Sequence, residues 1–340
     1  MSNTRQRPPM VLLIDTSTTP SVLGEHERTP QIQTSSQELS KVNQVSAAPK
    51  PTRPIALVFL ASALFGTTGT ALAKGPANID AISAGVLRLI IGGCGLTLIS
   101  WRHIPTLKDQ SRRLLFGAIA VATYQLLFFY SVSLTGVALA ALITIGVSPL
   151  FSRLISHLKR QPAPSPMWYV AAAFTLTGLV VLVVGSENSV SYDLGGIVCA
   201  VIAGCAYAMY TESASVLITK KAHPTASLAA MFFVAGLATA PLLIWHRLAW
   251  LNTSRGILVI LYLSIITLTC AYVAFGKALV TLKPMTVVML TTLEPIVASV
   301  LAVFMLNEDF PLASWVGAAL VLIGLLMVGL STPRQTTVRS

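Results

Sequence analysis

The chain has 340 residues, 54% hydrophobic and only 10% charged, with a mean hydropathy of +0.75 and a formal net charge of +11. A soluble domain carries about 25% charged residues, so this composition cannot cover an ordinary water-facing surface and points to a polytopic membrane protein. The positive charge does not indicate a nucleic-acid partner. It lies in short segments between apolar runs, with no basic face or aromatic reader module.

In chain order, residues 1–52 come first, rich in Ser, Thr, Pro and Gln, with five basic and four acidic side chains. The apolar island "MVLLI" at 10–14 is too short for a signal-peptide core. This segment is expected to be a disordered cytoplasmic tail. Ten apolar runs follow, at about 54–74, 82–101, 114–134, 137–157, 167–185, 194–217, 225–245, 256–276, 284–306 and 312–331. Each is near the roughly 20 residues that a bilayer core requires. Continuous runs without alternation favour helices over barrel strands. The expected fold is an all-α integral membrane protein of ten transmembrane helices. Runs three and four are joined at "SLTGV", where Gly136 permits a tight turn, and Pro284 suits the first turn of its helix. Small-residue segments such as "ALFGTTGTALA" (63–73) and "LIIGGCGL" (89–96) allow close helix approach. Cys94, Cys199, Cys205 and Cys270 all fall inside apolar runs, without metal-ligand spacing, and read as small buried packing residues.

Orientation follows from Lys and Arg near the span ends. With the N-terminus inside, fourteen of these residues lie on the inner side and three (Lys74, Arg247 and Arg255) on the outer side. Both termini are therefore expected in the cytoplasm, and the protein in the plasma membrane.

An internal repeat is visible. With Pro149 laid over Pro295, "TIGVSPLFSRLI" (144–155) falls on "LTTLEPIVASVL" (290–301), an offset of 146. Gly66 in "ALFGTTG" and Gly204 in "VIAGCAY" open the corresponding halves. The expected units are a first repeat at 53–190, a second at 191–331 and a short cytoplasmic tail at 332–340. Each half has five spans. Because five is odd, the halves enter the membrane from opposite sides and form two inverted five-helix repeats. Such proteins bind substrates near the midplane, at the repeat interface.

Ten spans in two such halves, with "SPLFSRLI" in span four and "LEPIVASVLAVFMLNED" in span nine, resemble the EamA branch of the drug/metabolite transporter superfamily. "ALFGTTGTALAK" and "AGVLRLIIGG" resemble its first-half pattern. The resemblance covers about residues 54–331. Two features depart from it: "HLKRQPAPSP" follows span four without the usual Gly-Glu pair, and Asn307 stands where Gly is common. The resemblance implies an exporter or exchanger of small metabolites, such as amino acids or drug-like compounds. It also implies a central cavity lined by spans one, three, four, six, eight and nine.

The residues themselves suggest a site. Glu294 lies about 15 Å along its helix, where a carboxyl costs roughly 2.5–3.5 kcal/mol to insert and must face protein or water. Pro295 should free the Thr291 carbonyl and kink the helix. The carboxyl either binds an amine or proton, or is locked to the backbone at that kink. Ser148 and Pro149 occupy the mirrored position in span four, as a second kink with or without ligand contact. Glu212, two turns from Lys220 and near Tyr207, Tyr210 and Thr211, is a cavity candidate or a snorkelling partner. Arg88 either bonds to helix carbonyls or receives a substrate carboxylate. Tyr124, Gln125 and, more weakly, Tyr130 are lining candidates in span three. Tyr272, two residues past Tyr124's counterpart Cys270, is another. No histidine lies mid-span.

These features suit a secondary carrier working by alternating access, with membrane lipids, a small-molecule substrate and, through Glu294 or Glu212, protons as partners. No nucleotide-binding loop, cofactor motif or metal site is recognisable. A channel or structural assembly protein is the alternative. An intramembrane enzyme fits less well, because "GVSPL" lacks the second Gly of a nucleophile elbow and H-E-x-x-H is absent.

Overall fold

The computed structural model describes residues 52–107, 109–185, 193–306 and 311–331. The N-terminal tail, the C-terminal tail and the loop containing Asn307, Glu308 and Asp309 lie outside the described residues. Among the described residues, ten apolar helices are long enough to cross a membrane. They are α1 (Thr52–Ala73), α2 (Ala81–Ser100), α3 (Ser111–Thr135), α4 (Val137–Leu158) and α5 (Pro166–Gly185) in the first half. The second half holds α6 (Leu194–Thr219), α7 (Pro224–Ile244), α8 (Ser254–Leu279), α9 (Pro284–Met305) and α10 (Leu312–Ser331). No strand occurs among the described residues.

The helix ends follow local chemistry. Asp80 caps α2 through Ser83 and Asp193 caps α6 through Gly196, both at 2.7 Å, which satisfies otherwise orphaned amides. Gly136 turns α3 into α4 at φ 82°, a conformation that costs glycine little. Two helices are internally irregular. In α8, a π-helical stretch covers Tyr262–Cys270. In α9, a 3-10 turn at Thr291–Leu293 separates Pro284–Leu290 from Glu294–Leu306.

Packing repeats as an inverted duplication requires. Helix α3 packs on α6 as α8 packs on α1, and α4 on α6 as α9 on α1. Helices α2 and α7 meet across the axis, as do α5 and α10. The fold is therefore two inverted five-helix repeats. Their interface is built on small residues, because lipid tails are as apolar as the helices and only close contact favours association. The cysteines correct one expectation: Cys94 and Cys270 are exposed, on faces a bilayer would cover, rather than buried. Each is small and apolar enough for lipid contact.

Candidate functional site

Halfway through the bundle, a tight cavity of about 50 Å³ lies between the two repeats. Its walls come from α1, α3, α4, α6, α8 and α9, with Arg88 of α2 as a further contributor. Of the sequence candidates, the structure brings Glu294, Tyr124, Tyr207, Tyr272 and Arg88 to this cavity, with Pro295 beside them.

Glu294 begins the second segment of α9 and is half-buried. Its carboxylate takes no hydrogen bond or ion pair from the described residues and faces the cavity. The backbone there differs from the expectation. Pro295 does remove a helical donor, but the Thr291 carbonyl it would have served accepts the Glu294 amide instead, closing the 3-10 turn. The helix tightens by one residue per bond, and the Leu290 carbonyl that the Glu294 amide would otherwise serve accepts the Ser62 hydroxyl at 3.5 Å.

Arg88 is 5% exposed. Its Nε donates to the Leu263 carbonyl at 3.3 Å and its Nη2 to the Thr267 carbonyl at 3.0 Å. Both acceptors lie in the π-helical stretch of α8, where wider turns displace carbonyls from the usual ladder. This explains how a guanidinium stays buried in an apolar bundle with no carboxylate within 4 Å among the described residues. Sequence reasoning placed Arg88 but could not foresee the π-turns, which leave no signature in "YLSIITLTC".

Aromatic rings connect the halves. The Tyr124 ring lies 5.5 Å from Tyr207 and 5.6 Å from Tyr210. Tyr207 donates to the Thr291 hydroxyl at 2.9 Å, and the Tyr210 and Tyr272 hydroxyls share a bond of 2.7 Å. Phe65 of α1 closes on Tyr272, with centroids 5.1 Å apart. These contacts join α1, α3, α6, α8 and α9 in one layer. Phe65 and Thr291 escaped sequence reading because a Phe or Thr in an apolar helix looks like ordinary packing.

The other candidates lie elsewhere. Ser148 is fully buried and donates to the Thr144 and Gly204 carbonyls, at 2.5 and 3.1 Å, sealing α4 to α6. Its neighbour Pro149 sits inside an α4 that continues to Leu158. Gln125 is 1% exposed and directed at Gly85 of α2. Tyr130 is 44% exposed, on the bundle's outer surface. Glu212 lies in a separate crevice of about 870 Å³ between α3, α4 and α6. Its partner is Lys159, at 2.5 Å, rather than Lys220. Lys159 caps the end of α4 and points across to α6, a tertiary contact that spacing along α6 cannot reveal.

The comparisons with known proteins agree with this architecture. The family model described as "EamA-like transporter family" matches twice, at residues 52–184 and 194–330. An uncharacterized transporter, YwfM of Bacillus subtilis (strain 168), is 33% identical over 283 residues, covering 82% of this chain and 95% of the relative. A protein of known crystal structure superposes with a TM-score of 0.70 at 17% identity, over 82% of this chain and 97% of that one, a likeness of fold. A duplicated family match over most of the chain, ten membrane-crossing helices and the inverted packing converge: the chain belongs to the EamA-like transporter family and is a multi-pass membrane transporter.

Proposed function

We propose that the protein is a secondary carrier, an exporter or exchanger of small metabolites such as amino acids or drug-like compounds, with the central cavity as its substrate site. The observation that carries this reading is the Glu294 carboxylate, which lines the cavity without a donor among the described residues, beside a guanidinium and three tyrosines. A carboxylate recognises an amine or a proton. The guanidinium attracts an opposite charge, and the rings offer flat apolar faces with hydroxyl handles. A cavity of about 50 Å³ holds little more than water, so substrate entry requires the helices to part, as alternating access does. The fourteen-to-three distribution of basic residues supports cytoplasmic termini and a plasma-membrane location.

The test is transport into inside-out vesicles by the reconstituted protein, after a resistance screen in an overexpressing strain has selected candidate substrates. Saturable exchange is expected, driven by a pH gradient. Flux that rises linearly with concentration would instead indicate a channel. Glu294→Gln that leaves gradient-driven transport intact would remove Glu294 from the mechanism.

A further inference from the structure

The larger of the two openings is the crevice between α3, α4 and α6, at the end of the bundle where α3 begins and α4 and α6 end. Its volume, about 870 Å³, is more than tenfold that of the central cavity. Two kinds of wall meet in it. The deep part is apolar and opens sideways: Phe116 and Leu154 line it and are 48% and 49% exposed, on surfaces that a bilayer covers. The rim carries Arg112 and Arg113 from the start of α3, with Lys159 and Lys220 from the ends of α4 and α6. Four cations stand against two carboxylates, Asp109 and Glu212.

Lysines at helix C-termini have a local reason to be there, since they complement the helix dipole. The two arginines do not, and their placement follows only the general bias of basic residues to one membrane face. They sit at the N-terminus of α3, where that dipole already repels a cation, and Gln110 offers no side-chain cap. A second, independent feature is Glu212. It is 5% exposed, its Oε1 accepts from Lys159, and its buried Oε2 has no donor among the described residues. An unsatisfied buried carboxylate oxygen in the wall of a crevice leaves room for a donor from outside the chain, such as a water or a ligand group.

We infer that this crevice binds a membrane phospholipid with an anionic phosphate and a donor-bearing headgroup, with Arg112, Arg113 and Lys220 holding the phosphate and the α3–α4 gap taking an acyl chain. Basic pockets between membrane helices have this chemistry. Glu212 accepts from the headgroup hydroxyl or ammonium. The lipid wedges α3 from α4, next to the aromatic layer carried by Tyr124 and Tyr210.

The test compares purified protein in phosphatidylglycerol and phosphatidylcholine of identical chains, read by thermal unfolding and by lipid adducts in native mass spectrometry. Phosphatidylglycerol is expected to raise the unfolding temperature and to remain bound. The triple variant Arg112→Gln, Arg113→Gln and Lys220→Gln should lose that preference. A matched triple on the opposite face, Lys74→Gln, Arg247→Gln and Arg255→Gln, should keep it. Leu154→Trp fills the gap without touching charge and should also weaken adduct formation. Equal behaviour in the two lipids overturns the inference, as does equal loss in the two triples. Stabilisation by free glycerol phosphate to the same degree would show an anion pocket instead of a lipid site, and also overturns it.

Discussion

The two repeats cross at the same pair of glycines but in different registers. In the first half, a Cβ on Gly204 of α6 would come within 2.6 Å of the Thr144 carbonyl of α4. In the second, a Cβ on Gly66 of α1 would come within 2.8 Å of both the Glu294 carbonyl and Val297 of α9. With Pro149 laid over Pro295, Thr144 falls on position 290, so the second crossing is four residues further along its helix, about one turn or 6 Å. The first crossing is pinned by the Ser148 hydroxyl on the Gly204 carbonyl. The second has a carboxylate at the position of Ser148, and it faces the cavity. Helix packing around the two crossings is shared, α6 lying along α3 and α4 as α1 lies along α8 and α9, and the larger crevice opens beside the first. The sequence asymmetry, Ser against Glu, coincides with the structural one.

Moving the acid should break this comparison most severely. Ser148→Glu places a carboxylate at a fully buried crossing, at a cost of roughly 2.5–3.5 kcal/mol or more. Little folded protein is expected on size-exclusion chromatography in detergent. Glu294→Gln should leave that chromatogram unchanged yet reduce transport about tenfold to a hundredfold, since a hydrogen bond to a charged group contributes about 1.5–3 kcal/mol. Next come Gly66→Ala and Gly204→Ala, each crowding backbone that cannot retreat, at about 1–3 kcal/mol. Thermal shift would read both, and a cost confined to one would show that only that crossing is tight. The smallest effects belong to Tyr207→Phe and Ser148→Ala. Interhelical bonds in membranes average about 0.6 kcal/mol, so both should shift stability only slightly. Tyr207→Phe, at the cavity, should in addition change transport, whereas Ser148→Ala should not.

Much of the fold was legible because membrane insertion imposes a severe rule on sequence. Every span must be a long apolar helix, and the expected run 284–306 coincides with α9 as observed. The site was legible where a costly residue stood out: Glu294 and Arg88 in apolar helices are conspicuous by charge, and Tyr124, Tyr207 and Tyr272 by their hydroxyls. Ser148 was less legible. A small hydroxyl suits a cavity wall and a helix crossing equally, and only the proximity of Gly204 decides. Glu212 shows the same limit, because its cation comes from the end of a different helix.

The sequence alone determined the number of spans, their inversion and the position of one acid midway along its span, because hydropathy, odd repeat length and insertion cost act on the chain locally. Tertiary structure decided how those pieces were used. The π-turns of α8 supplied carbonyls for Arg88, and the 3-10 turn of α9 consumed the Thr291 carbonyl. The register of α1 on α9 placed Glu294 against a cavity while the matching register buried Ser148. Each depends on which helix lies opposite and on how closely glycine lets it approach, and neither is written in any single span.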